Sequence, residues 1–519
     1  MATSRILQPY VSRREPGRLT RVVLAVGFVM LGAFYGLMST LLPAQLLAMP
    51  LSPILILGAV CLWMLPDVGE IDTTTMSSIA VWFIAIMPVW PSYVAINLPG
   101  LPWITPTRGL TGALLVMALV GISTSSDFRA RIHDASGAMP YMRRIFWGFF
   151  ATMIIAIPFS PLLFQTVNRW ANNQIFWTMT FLLVGYFATY KGFVSRIARA
   201  LVVALAITIL IGLYEYRSQS VFWLPYLPAF LKADPEILAR VAESQARAGT
   251  NIYRVRSTFP VSLYYAQYLA LIFPFVIHYL VATPKVRDKL LLGLLAVATM
   301  VVMYLTNARS AMVGLLLTLI IYPFFWVWRT RKRDPQSIGA SAGLFAYPAG
   351  MLVVTLIVLF WNRARVAVLG GGQHQASSDA RGAQWDMGIP RIIQYPFGHG
   401  AATSGEVLGY TNRAGEVTVD TYYLTLLLDY GVFALPLFML MFGLPLWHGF
   451  RAYMKSRDDE TDLTAPLGIA LFNFVVIAGV LSSEANQPIA FAILGCLGGL
   501  IWRQNNGMVR QPRLPPPKP

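Results

Sequence analysis

Six arginines in the second half of the chain, Arg254, Arg256, Arg309, Arg381, Arg391 and Arg413, together with Asp420, are of types that do phosphate chemistry. The planar guanidinium presents a fork of donors that grips two phosphate oxygens at once and keeps its proton near neutrality. A carboxylate beside such a cluster can take the proton of an attacking hydroxyl, or orient it. In 417-VTVDTYYLTLLLDYG-431, Asp420 also stands where a helix N-cap belongs, and both readings stay open. Trp385, between Arg381 and Arg391, offers an indole face on which a sugar ring can stack. His399 lies between Gly398 and Gly400, as a turn residue or a contact to a bound ligand, and Asp429 reads as an internally paired carboxylate. Glu484 is a further acidic candidate.

Arg309 decides which elements must position these groups. It is the only charge between Leu290 and Trp328, with nineteen apolar or neutral residues on each side. Nineteen helical residues rise about 28 Å, close to the ~30 Å hydrocarbon layer. One helix of twice that length would overshoot the bilayer and strand the cation at its centre, at a cost of several kcal/mol. Two helices turning at Thr306–Ser310 fit instead. The basic ends 285-KVRDK-289 and 329-RTRKR-333 then share one face, and Arg309 stands alone on the other.

The rest of the chain is built the same way. Of its 519 residues 56% are hydrophobic and 12% charged, with mean hydropathy +0.59, which places it among all-α polytopic membrane proteins. Fourteen apolar stretches predict about 12–14 transmembrane helices, among them 22–47, 79–96, 174–190, 343–361 and a long one over 421–447. Counting Lys and Arg puts the N-terminus inside, with 26 of 40 basic residues on that face. The organisation expected is a cytoplasmic tail 1–21, helices over 22–216, an outer loop 217–262, helices over 263–361 with the Arg309 turn, a long outer loop 362–420, helices over 421–502 and a disordered cytoplasmic tail 503–519. An amphipathic helix is expected over 232–249 and a flexible stretch over 370–379. Thirteen of the fourteen outer basic residues are arginine.

The net charge of +17 sits mostly at span ends, so membrane topology explains it and nucleic acid is not an expected partner. Cys61 and Cys496 lie in apolar runs and predict no disulfide framework. No zinc spacing, glycine-rich nucleotide loop, CxxC or GxSxG elbow is present, so neither metal nor cofactor is expected. A transporter or flippase also fits the number of spans, but would be expected to place charges at mid-membrane rather than at one face.

Four pieces in order, 256-RSTFPVSLYYAQYLALIFP-274, 305-LTNARSAMVGLLL-317, 381-RGAQWDMGIPRIIQYPFGHG-400 and 420-DTYYLTLLLDYGVFALPL-437, resemble the O-antigen ligase and Wzy-type polymerase superfamily of bacterial surface-polysaccharide enzymes. Members are similar to C-type glycosyltransferases acting in the bacterial inner membrane. The resemblance implies a donor glycan on an undecaprenyl-diphosphate carrier and a periplasmic active site opposite two cytoplasmic termini. It implies Arg309, Arg381 and Asp420 as catalytic, with Arg254, Arg256, Arg391, Trp385 and His399 binding diphosphate or glycan. Ligases typically carry a histidine–asparagine pair where this chain has Asp420-Thr421, so the resemblance points to a polymerase, with a chain-length regulator as an expected partner. A lipid A-core ligase or protein O-oligosaccharyltransferase is the alternative within the family.

Overall fold

A computed structural model of the chain describes most of residues 57–507. Residues 1–56, 97–103, 234–251, 366–374, 412–416, 481–484 and 508–519, and a few single positions, lie outside the description. The first anchor expected over 22–47, the terminal tails (but for the helical residues 503–506), Arg413 and Glu484 therefore fall outside the described residues, as does the helix expected over 232–249 from residue 234 onward.

Apolar runs cut by Pro, Gly and charge dictate helices, because a backbone in lipid must satisfy its hydrogen bonds within its own segment. Seventeen helices are described. In chain order they are α1 (Thr74–Ile86), α2 (Pro106–Thr124), α3 (Ser126–Ser136), α4 (Met142–Ala156), α5 (Leu163–Asn173), α6 (Met179–Ala188) and α7 (Phe193–Ser218). Then come α8 (Ser262–Ala282), α9 (Val286–Leu305), α10 (Arg309–Arg333), α11 (Ile338–Phe360), α12 (Gln375–Gln394) and α13 (Ser404–Leu408). The last four are α14 (Tyr422–Tyr430), α15 (Ala434–Lys455), α16 (Thr464–Ala478) and α17 (Gln487–Asn506). Two three-residue strands, β1 (Val94–Ile96) and β2 (Leu231–Ala233), pair antiparallel, so Lys232 and Ala233 are strand rather than helix. Eight of the helical segments are long and apolar enough to cross a membrane. The protein is an all-α polytopic membrane protein, and large apolar side chains such as Val116, Leu210 and Leu294 are exposed on its outside, where lipid would meet them.

The centre is α8, α16 and α17, almost wholly buried. Against lipid, helices associate through close packing and shared polar groups rather than through the hydrophobic effect. Both devices are present. A Cβ on Gly499 of α17 would stand 2.4 Å from the Ala188 Cβ of α6, so only glycine allows that approach. Asn473 of α16 donates to the carbonyls of Ala270 (3.0 Å) and Gly314 (3.3 Å) and to Thr318 Oγ1 (2.8 Å), joining α8, α10 and α16.

The two ends of the bundle differ. At one end α9 stops at Leu305 and α10 starts at Arg309, with Asn307 at φ +49° in the turn. At the other end Glu460 accepts from Arg503 Nη1 (2.7 Å) and from the backbone N–H groups of Gly192 (2.7 Å) and Ser195 (3.1 Å). Beside it Arg329 bonds Asp462 (2.6 Å) and lies over the Tyr453 ring at 4.2 Å.

Three further sequence expectations are corrected. The span expected over 421–447 breaks at Gly431, whose φ is +83°; a Cβ there would lie 2.3 Å from the Pro396 carbonyl oxygen. Hydropathy runs through the break because both halves are apolar. The span expected over 79–96 ends as a helix at Ile86, ahead of Pro88 and Pro91. The stretch 370–379, expected to be flexible, is helical from Gln375, as part of α12.

Candidate active site

The Arg309 end is assembled from three loops and one helix that lies between transmembrane elements. The strand-like segment before α8 docks on the α9–α10 turn, with Val255 N–H donating to the Leu305 carbonyl (3.3 Å) and Arg254 Nε to the Thr306 carbonyl (3.1 Å). Arg309, the first residue of α10, reaches outward to α12 and donates from Nη2 to Ser378 Oγ at 3.2 Å. Three residues on, α12 presents Arg381; three further, Gln384. Side chains three apart are neighbours on a helix surface, so Ser378, Arg381 and Gln384 form one edge.

Gln384 fixes Asp420. Its Nε2 donates to Asp420 Oδ2 (3.2 Å) while its Oε1 accepts the Asp420 backbone N–H (2.8 Å). The cap position of α14 is Thr421, and no side chain caps it, so Asp420 is not the N-cap that the sequence allowed. Its carboxylate faces α12 instead. Arg381 is close enough for that charge to act on it: burial pulls the Arg381 pKa down and Asp420 opposes the shift. The guanidinium stays protonated. Its Nε is buried and has no hydrogen-bond partner among the described residues.

A second lock holds the base of this edge. Asp429, in the last turn of α14, accepts the N–H groups of Ala402 (3.0 Å), Thr403 (3.2 Å) and Ser404 (2.7 Å), capping α13 from a distance. His399 N–H and Gly400 N–H donate to the Leu428 and Asp429 carbonyls, each at 2.9 Å, and Val432 N–H donates to Pro396 (2.9 Å). Residues 396–404 are thereby laced to α14 and to its break at Gly431.

The other sequence candidates take distinct places. Arg256 is 2% exposed and faces Glu215 of α7, with Nε 3.8 Å from Oε1. Glu215 also accepts the Ser257 N–H (2.6 Å) and Tyr253 O–H (2.8 Å). Arg256 Nε and Nη2 are buried without a hydrogen-bond partner among the described residues. Arg391 donates to the Leu408 carbonyl, tying α12 to α13. Trp385 packs against the Ile392, Leu408, Leu424 and Leu428 cluster. His399 is buried, its Nδ1 3.1 Å from the Leu428 carbonyl oxygen and its ring 4.8 Å from that of Tyr395. Arg254, Arg309, Arg381 and Asp420 are therefore linked through one helix edge and one turn, with Arg256 behind them and Arg391, Trp385 and His399 on the side toward α13.

Sequence reasoning missed Ser378, Gln384 and Glu215. Gln384 and Ser378 carry no charge and give no signal on their own. Glu215 had one: a carboxylate at the end of a long apolar run needs a cation, and Arg256 was available.

At the same end a cavity of about 470 Å³ opens between α2, α5, α8 and α17, lined by Trp90, Arg108, Arg169, Asn172, Asn173 and Tyr264 among others. Asn173 Nδ2 reaches Tyr430 O–H of α14 at 3.4 Å, which places the cavity beside the lower part of the site.

No curated protein matches the chain significantly. Residues 266–439, the segment that holds Arg309, Arg381, Gln384, Asp420 and Asp429, match the family model described as O-antigen ligase.

Proposed function

We propose that the protein is a polymerase of a bacterial surface polysaccharide. It would transfer a glycan from an undecaprenyl-diphosphate carrier to a sugar hydroxyl of an acceptor at the periplasmic face of the inner membrane. The observation that carries the reading is the α12 edge: Arg309 bonded at Ser378, Arg381 with a buried Nε that has no partner among the described residues, and Asp420 held by Gln384 within electrostatic reach.

In this reading Arg309 and Arg381 grip the diphosphate, with Arg254 and the donor-rich Arg256 behind them. The acceptor hydroxyl oxygen attacks the anomeric carbon of the donor sugar. The bond from that carbon to the diphosphate oxygen breaks, and the electron pair leaves with the phosphate. Asp420 takes the hydroxyl proton. Charge grows on the leaving group as the bond breaks, so preorganised guanidinium donors stabilise the transition state more than the ground state. Gln384 is a positioning residue: it fixes the carboxylate without touching substrate. The cavity beside α5 and α17 is the place for the sugars, since aromatic faces and amide donors suit hydroxyl-rich rings. No metal, cofactor or nucleotide enters the proposed chemistry.

Purified protein in nanodiscs, given lipid-linked repeat unit and a chelator, tests this. Longer lipid-linked glycan and released lipid diphosphate are expected. Transfer only to a lipid A-core acceptor or a protein would favour the ligase reading in spite of Asp420-Thr421. Movement of intact lipid-linked glycan across the bilayer without bond exchange would mean a flippase.

A further inference from the structure

The opposite end of the bundle holds a second kind of cavity, unconnected with the chemistry above. A groove of about 380 Å³ runs between α2, α3, α4 and α6. Its walls are apolar, formed by Leu115, Leu119 and Ile122 of α2, Ile132 of α3 and Leu182 and Leu183 of α6. Its mouth carries Arg129, His133 and Arg143. Leu115 to Ile122 is seven residues, a rise of about 10 Å, so the groove extends along α2.

Its position in the bilayer follows from contacts. The start of α2 belongs to the Arg309 end: Ile96 and Ile104, just before it, bridge to each other, and Thr258 Oγ1 binds the nearby Pro88 carbonyl at 2.6 Å. The end of α2 therefore lies about 28 Å away, at the other membrane face. Arg131 of α3 bonds Tyr190, just before α7 begins, and confirms the level.

The mouth has cations with differing occupation. Arg129 is bound to Asp67 (3.3 Å) and to the carbonyls of Ile122 (2.7 Å) and Ser123 (3.1 Å). Arg143 instead meets the His133 ring, its Nη1 2.6 Å from Nε2. Arg144 is exposed beside it. Both arginines also line a smaller cavity of about 330 Å³ with Tyr141, which is 70% exposed. Arg129 is thus paired with Asp67 and His133 lies 3.5 Å from Asp134, while Arg143 lines both the mouth of the apolar groove and the smaller cavity that Arg144 also lines, so guanidiniums outnumber carboxylates there.

We propose that this groove holds an acyl chain of an anionic phospholipid whose phosphate is gripped by Arg143 and Arg144. The walls match hydrocarbon, the mouth matches a phosphate, and an exposed tyrosine at that level is of the type that sits among headgroups. Basic pockets between transmembrane helices recognise lipid headgroups by this combination.

The test uses the full-length protein, delipidated in detergent, with native mass spectrometry of retained lipid. Phosphatidylglycerol should be retained over phosphatidylcholine by about 30-fold, since each basic residue at an anionic headgroup contributes roughly fivefold. The double variant Arg143→Gln, Arg144→Gln should bring the ratio close to one. Leu119→Trp, which fills the groove and leaves the arginines, should lower retention of both lipids. Inorganic phosphate should not displace the lipid at millimolar concentration; if it does, the site reads a free anion and the acyl-chain part is wrong. Equal retention of the two lipids by the wild type, or a preference that survives in the double variant, overturns the proposal. Where the double variant does not fold, unchanged phosphatidylglycerol retention by Leu119→Trp overturns it equally.

Discussion

Gln384→Leu removes the group that fixes Asp420 while leaving its charge in place. Two hydrogen bonds disappear, from Nε2 to Oδ2 (3.2 Å) and from the Asp420 N–H to Oε1 (2.8 Å). A hydrogen bond to a charged group is worth about 1.5–3 kcal/mol, and the freed carboxylate would swing toward Arg381. Converted to a rate, that is roughly a 10- to 150-fold loss in kcat. KM for the lipid-linked donor should change little, because Arg309 and Arg381 remain. Turnover of lipid-linked repeat unit in nanodiscs measures it, with thermal unfolding as the control for global damage. The double variant Gln384→Leu, Asp420→Asn should be no slower than Asp420→Asn alone, since Gln384 acts only through Asp420. Losses that multiply in the double variant, or a Gln384→Leu enzyme with wild-type kcat, would refute the positioning argument.

Other substitutions separate the remaining roles. Asp420→Asn keeps an acceptor for Gln384 and, because Asp420 does not cap α14, should leave stability unchanged while lowering turnover by about 10²–10⁴-fold as a lost general base; unchanged turnover would remove that role. Arg381→Lys should impair transfer even though charge is retained, since lysine lacks the planar fork, and full activity would reduce Arg381 to a surface charge. Gly431→Ala should destabilise the fold by about 2–5 kcal/mol, from left-handed backbone strain plus overlap with Pro396, read as a lowered unfolding midpoint in detergent.

Much of this molecule is visible in its residue order, for a physical reason. Lipid forces long apolar helices, and the lone Arg309 in its run is explicable only if the chain turns there. The arginines and Asp420 stand out by type. What hydropathy does not carry is backbone contact. The break between α14 and α15 depends on Gly431 meeting Pro396, 35 residues away in sequence, and no local property of an apolar run records that. Helix α12 was hidden for the opposite reason: Gly382, Gly388 and Pro390 weaken its intrinsic preference. It forms by packing, with Gly388 so close to Leu424 that a Cβ would lie 2.7 Å from Cδ1. With the helix unseen, Gln384 and Ser378 could not be placed beside Asp420 and Arg309. Arg256 shows a further gap, since its neighbour Glu215 lies 41 residues back on another helix.

The claim on which the rest depends is that Arg309 and its α12 partners drive departure of a lipid diphosphate. Release of undecaprenyl diphosphate from lipid-linked repeat unit, measured with Arg309→Ala beside the wild type in nanodiscs without nucleotide, tests it most directly. Release coupled to glycan lengthening is expected in the wild type, and loss of both in a variant that is still inserted and folded. Release by Arg309→Ala at the wild-type rate would contradict it.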